Sequence, residues 1–128
     1  MNADRVMIEY SAAWARGDIE AAERFYSDDV VMRVPGRGDL AGTHEGKQAV
    51  IAAIDAVLAR TTGLSVQVDV LDRLSSSDRI AVLMRQTSQR GETQLEIRRV
   101  NLYEVRDGLI VGIDVFEANQ YEADEFFG

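Results

Sequence analysis

The sequence predicts an α+β fold in which a curved antiparallel sheet is closed on its concave side by helices that precede it. Three observations carry this. Apolar residues recur at helical spacing through the first half of the chain, whereas from residue 64 onward every segment reads as strand. Two long β-forming runs meet at Arg106-Asp107-Gly108, a strong hairpin-turn signal. Helices gathered ahead of a run of hairpins pack together on one face of the sheet those hairpins form. With 128 residues the chain is expected to be one domain, 1–128.

Taken in order, Asn2 or Asp4 caps a first helix whose Val6, Tyr10, Ala13 and Trp14 fall on one face, and Gly17 stops it. Asp18 caps a short second helix, with Ile19, Ala22 and Phe25 or Tyr26 inward, ending at Asp28-Asp29. Val30 to Val34 is a short β-branched strand broken by Pro35-Gly36. Residues 37–46 form a polar, glycine-rich loop in which 40–43 can add a brief edge strand. A third helix over 47–60 puts Val50, Ile54, Val57 and Leu58 on one stripe, and Thr61-Thr62-Gly63 ends it. Four strands follow as a meander, over 64–74, 79–89, 92–105 and 109–116. The tail, 119–128, mixes acids with aromatics and is expected to fold back or to pack on a partner chain; Glu122, Asp124 and Glu125 read as solvated.

Composition removes several functions. The net charge of −8, with no basic cluster longer than Arg98-Arg99, repels polyanions and argues against nucleic acid. Cysteine is absent, so disulfides, thiol nucleophiles and thiolate metal sites are excluded, and a single histidine excludes a multi-histidine zinc site. His44 sits in a polar loop and is expected to be exposed, with no nucleophile elbow to serve. The acid at Asp4 and the Glu9 that breaks the next apolar stretch do not suit a signal peptide, and the longest apolar stretch, 49–59, is too short for a bilayer. A cytoplasmic protein without membrane partners or cofactor is expected.

The strand over 95–105 carries polar residues in its middle, which suggests a concave face around a partly polar cavity rather than a filled core. Trp14-Ala15-Arg16-Gly17-Asp18, then Phe25-Tyr26-Ser27-Asp28-Asp29-Val30, then Gly46 opening a helix, then Val105 to Ile110 with its Asp-Gly turn, resemble in order the nuclear transport factor 2-like superfamily. Within it the chain is most similar to SnoaL-like and ketosteroid isomerase-like proteins, over nearly its whole length. The resemblance implies a cone-shaped, cystatin-like α+β barrel with a deep pocket, dimeric through the outer face of its sheet. Activity is left open, because isomerases, polyketide cyclases, epoxide hydrolases, dehydratases and non-catalytic binders share the fold.

Laid against the ketosteroid isomerase pattern, Tyr10 falls on the oxyanion-binding tyrosine and Asn101 on the second oxyanion donor. In that family the second donor is an aspartic acid, a known case of a buried acid kept neutral by its surroundings. Asparagine donates without needing a raised pKa. The family's proton-shuttling aspartate falls on Val34, which accepts no proton. Matching Asn101 to the family turns Ile97, Arg99, Asn101 and Tyr103 inward, and by the same register Met32, Val34, Arg85, Thr87, Ile113, Val115 and Glu117 line the cone. Buried arginines need acids, and Glu117 and Asp69 are the candidate partners of Arg85 or Arg99. Glu117 is the first choice of general base, and the opposite strand parity brings Asp114 inward instead.

Each candidate has a structural alternative: Tyr10 and Trp14 as core, Asn101 as an outward polar residue, and the ion pairs as rim bridges. Two functions remain. One is a cofactor-free isomerase, cyclase or hydratase acting on a small apolar carbonyl or polyketide-like compound. The other is a non-catalytic module that binds a small hydrophobic molecule or dimerises. The valine at position 34 favours the second, and the polar middle of the long strand favours the first.

Overall fold

The computed structural model describes residues 2–61 and 65–127. Helix α1, Ala3–Ala15, starts where the Asn2 side chain accepts a hydrogen bond from the Arg5 amide at 2.9 Å, and Gly17 follows it with φ +73°. Its buried face is Ala3, Val6, Met7, Tyr10 and Ala13, the stripe that helical spacing requires. Asp18 caps α2, Ile19–Glu23, by accepting from the Ala21 amide.

Strand β1 runs from Tyr26 to Val34, four residues longer at its start than the β-branched run. Tyr26 and Ser27 therefore belong to the sheet, and Tyr26 is not on the inner face of α2. Strand β2, Gly42–Glu45, pairs antiparallel with β1 and lies two residues later than the edge strand expected at 40–43. His44 thus sits on a strand, part-buried, with its ring Nε2 2.8 Å from the Leu40 carbonyl oxygen. Helix α3, Lys47–Thr61, buries Val50 and Ala53. The expected helix stop at Thr62-Gly63 and the first residue of the next expected strand, Leu64, lie outside the described residues.

The meander follows as β3 (Ser65–Ser75), β4 (Arg79–Arg90), β5 (Thr93–Arg106) and β6 (Leu109–Glu117). Asp107 and Gly108 both have positive φ, +54° and +78°, and Arg106 pairs with Leu109. That is the two-residue turn whose twist suits a hairpin, and it needs residues that tolerate the left-handed region. The six strands form one curved sheet in the order β2-β1-β6-β5-β4-β3. Every neighbouring pair is antiparallel except β1 with β6, which run parallel.

The tail is a fourth helix, α4, Gln120–Phe127. Asn119 caps it through Oδ1, which accepts from the Glu122 amide at 3.2 Å, and Ala123 is 2% exposed. The tail therefore folds back onto its own chain. The main core joins Val6, Met7, Tyr10 and Ala13 of α1 to Val50 of α3 and to Val30, Ile80, Val82, Val105, Ile110 and Ile113 of the sheet. Each large apolar side chain so buried contributes about 1.5–3 kcal/mol relative to exposure. No helix among the described residues is long and apolar enough to cross a membrane.

Candidate functional site

The helices do not fill the concavity of the sheet. A cavity of about 380 Å³ remains, within the range of small-molecule sites. Its walls come from all over the chain. Helix α1 supplies Tyr10 and Trp14, β1 supplies Met32 and Val34, and β6 supplies Ile113, Val115 and Glu117. Strand β5 contributes Arg99, Asn101 and Tyr103, successive residues on one face and so roughly 7 Å apart along the strand. Ile54, Val57 and Leu58 of α3 and the loop at Pro35, Gly38, Leu40 and Ala41 close another side. Most of the lining is apolar, and the polar groups gather on β5 and beside it.

Arg85 and Asp114 do not reach this cavity. Arg85 pairs across the outer face with Asp69 at 3.3 Å and Glu96 at 3.7 Å, and Asp114 pairs with Arg33 at 3.3 Å. The parity of β4 differs by one residue from the expected one, and Thr87 falls on the outer face with Arg85. Met84, directly opposite Arg99, is the β4 residue that lines the cavity. For β6 the parity that turns Glu117 inward holds, since Glu117 lies opposite Arg99, and Val115 opposite Asn101. Of the two expected acid partners, Asp69 meets Arg85 and Glu117 meets Arg99. On Asp69, a hydrogen bond from Gln67 and another from Arg85 lower the carboxyl pKa.

Glu117 and Arg99 form the charged end of the cavity lining. Arg99 Nε donates to Glu117 Oε1 at 3.1 Å, with the side chains 16% and 6% exposed. Oε2 of Glu117 is also buried and accepts no hydrogen bond from the described residues. Burial raises the Glu117 pKa above the usual glutamate value, more than the Arg99 charge and hydrogen bond lower it, and the nearby Asp124 charge adds to the rise. A carboxyl group so placed holds its proton to a higher pH than an exposed one does.

The second polar group is a set of tyrosines. The hydroxyls of Tyr10 and Tyr26 share a hydrogen bond of 2.5 Å. The Tyr10 ring meets Trp14, Phe25, Tyr26 and Tyr103 edge-on, with centroids 5.7 to 6.3 Å apart. These contacts orient the phenol by its edges. Asn101 Nδ2 donates to the Tyr103 hydroxyl at 3.2 Å. All three phenols have raised pKa values, for Tyr10 and Tyr26 first because burial penalises the phenolate, and for Tyr103 for the same reason. They are neutral hydrogen-bond donors at physiological pH.

Among the contributors that sequence reasoning misses are Tyr26, Met84, Gln120 and Asp124. Asp124 belongs to no solvated tail. Its Oδ1 accepts from Gln120 Nε2 at 3.0 Å and from the Arg37 amide at 3.4 Å, and the Gln120 and Asp124 side chains both line the cavity. A Cβ on Gly36, whose φ is +98°, would sit 2.4 Å from each of those two bonded side-chain atoms. The i, i+4 spacing of Gln120 and Asp124 is the available signal, once the tail is helical.

A curved sheet folded over helices around a mainly apolar cavity with a few convergent polar groups defines a small-molecule-binding domain of the nuclear transport factor 2-like class. Residues 7–113 match the SnoaL-like domain family, and the chain belongs to that family. It is 30% identical over 117 residues to an uncharacterized protein of Mycobacterium tuberculosis, covering 91% of this chain and 88% of that one. Among solved structures, it is similar to a protein of unknown function with cystatin-like fold from Xanthomonas campestris, with TM-score 0.84 and 28% identity over 100% of this chain and 99% of the other. It is also similar to Bal32a from a soil-derived mobile gene cassette, with TM-score 0.84 and 25% identity over 98% and 95% of the two chains.

Proposed function

We propose that the cavity carries out cofactor-free proton transfer on a small, largely apolar carbonyl compound, as an isomerase, cyclase or hydratase would. The observation that carries this reading is Glu117, a cavity-lining carboxyl with a raised pKa, one oxygen held by Arg99 and the other without a hydrogen bond from the described residues. In this reading Glu117 takes a proton from the carbon beside the carbonyl, and the electron pair moves onto the carbonyl oxygen. Tyrosine hydroxyls and Asn101 stabilise that oxygen as it becomes negative. Returning the proton at another carbon gives isomerisation, and attack of the enolate carbon on a second carbonyl gives ring closure.

The test uses 2-tetralone, a compact apolar ketone with acidic C–H bonds, in deuterated buffer. The protein is expected to speed exchange at C1, and Glu117→Gln to lower that rate by roughly 10²-fold or more. Exchange at the buffer rate, with binding seen by calorimetry, would favour the second reading, in which the cavity only holds its ligand. Val34 supports that alternative, since it stands where the ketosteroid isomerase pattern has its acid.

A homodimer through the outer face of the sheet is part of the same proposal. Leu74 and Phe116 are 67% and 55% exposed, and Phe116 pairs with Val100 in register. Apolar side chains gathered on one open sheet face are the kind of surface that a second copy covers.

A further inference from the structure

We propose that Tyr103 is the group that donates to the ligand oxygen, and that Asn101 is a positioning residue that holds and polarises the Tyr103 hydroxyl. The proposal rests on the carbonyl reading of the cavity and reassigns the second donor within it. Asn101 and Tyr103 lie two residues apart on the inward face of β5, and both line the cavity. A phenol has one proton and two lone pairs, whereas an asparagine amide nitrogen has only protons to give. Asn101 Nδ2 gives one of them to the Tyr103 oxygen at 3.2 Å. The Tyr103 oxygen is thereby an acceptor, and its own proton has no acceptor among the described residues.

Accepting a hydrogen bond makes a hydroxyl a stronger donor, because each bond in such a chain polarises the next. Of the influences on Tyr103, the two smaller ones act in the same sense. Burial and the neighbouring Tyr10 raise its pKa, while the Asn101 bond and the Arg99 charge draw it back down. Tyr10 differs, since its hydroxyl is shared with Tyr26. The Tyr103 ring is 8% exposed and stands edge-on to Tyr10 at a centroid distance of 6.0 Å, so its hydroxyl has little freedom to swing away. In this arrangement the chain from Asn101 to Tyr103 to the ligand oxygen acts as one relay, and Asn101 does not touch the ligand.

The probes are 2-naphthol, whose ionised oxygen resembles an enolate, and naphthalene, which has the same rings and no oxygen. Calorimetry gives the affinities, and naphthol fluorescence gives the pH at which the bound molecule ionises. The parent is expected to prefer 2-naphthol and to lower its ionisation pH. Tyr103→Phe should lower the ratio of 2-naphthol to naphthalene affinity about tenfold, and Asn101→Leu severalfold; the ratio is the readout because both residues line the cavity. The double variant should bind like Tyr103→Phe alone.

If Asn101→Leu costs as much in the Tyr103→Phe background as in the parent, Asn101 donates directly and the relay is overturned. An unchanged ratio in Tyr103→Phe also overturns it while leaving the carbonyl reading intact. If the parent binds 2-naphthol no better than naphthalene, both fall together.

Discussion

Arg99 and Glu117 face each other across adjacent strands β5 and β6, joined at 3.1 Å by a hydrogen bond that is almost wholly out of solvent. Removing the cation leaves a charge that the cavity does not solvate. Arg99→Met is therefore expected to destabilise the protein at pH 7 by about 3–5 kcal/mol unless Glu117 takes up a proton. Urea unfolding at pH 7 and pH 5 measures this, and the loss should be smaller at pH 5. A loss independent of pH would show that the arginine acts through packing alone.

The same carboxyl gives a pH dependence of defined sign. Its folded pKa lies above the ordinary 4.5, so between the two values the folded state binds more protons than the unfolded one. Its contribution is fully present below the unfolded pKa and is lost as pH rises through the folded pKa. The stability difference between parent and Glu117→Gln should therefore fall as pH climbs from about 4.5 toward neutrality. A difference that grows with pH in that range would contradict the raised pKa.

Tyr10 and Tyr26 are coupled through a buried hydrogen bond, so deleting one hydroxyl strands the other. Tyr10→Phe is expected to cost about 1–3 kcal/mol, and Tyr10→Phe with Tyr26→Phe less than the sum of the two single changes. Chemical denaturation of the three variants completes the cycle. Simple additivity would mean that the two hydroxyls do not depend on each other.

Gly36 lies against α4 at a positive φ, beside the Gln120–Asp124 hydrogen bond. A side chain there is strained by about 1–2 kcal/mol whatever room it finds, and its Cβ must push aside two flexible side-chain ends. Gly36→Ala is expected to lower stability by that amount and to speed amide hydrogen exchange within α4. Unchanged exchange in α4 would mean that the loop and the helix do not hold each other.

The inward parity of β5 is legible in the sequence because Asn101, matched by resemblance, fixes Arg99 and Tyr103 with it. The Asp107-Gly108 turn is legible because few residues tolerate two successive positive φ angles. The parity of β4 is not. Ala81 and Leu83 alternate with Val82 and Met84, so both faces are apolar and neither announces itself as inward. Tyr26 reads as the end of a helix because its neighbours are helical in pattern, yet α2 stops early at Glu23, where the pairing with β6 overrides that pattern. In α4 the well-buried residue among the described side chains is small Ala123, which leaves too faint a stripe to mark a helix among acids.

The parallel pairing of β1 with β6 has a consequence for the order of events during folding. It brings Arg33 against Asp114, 81 residues away in sequence, and the two strands supply adjoining parts of the cavity wall. A ribosome-bound chain lacking its last quarter has no partner for that edge of β1 and no Glu117. Contacts of such long range form late and slowly, because the chain must lose the entropy of a large loop before they return anything. The cavity wall that β1 and β6 share is therefore expected to close late in folding.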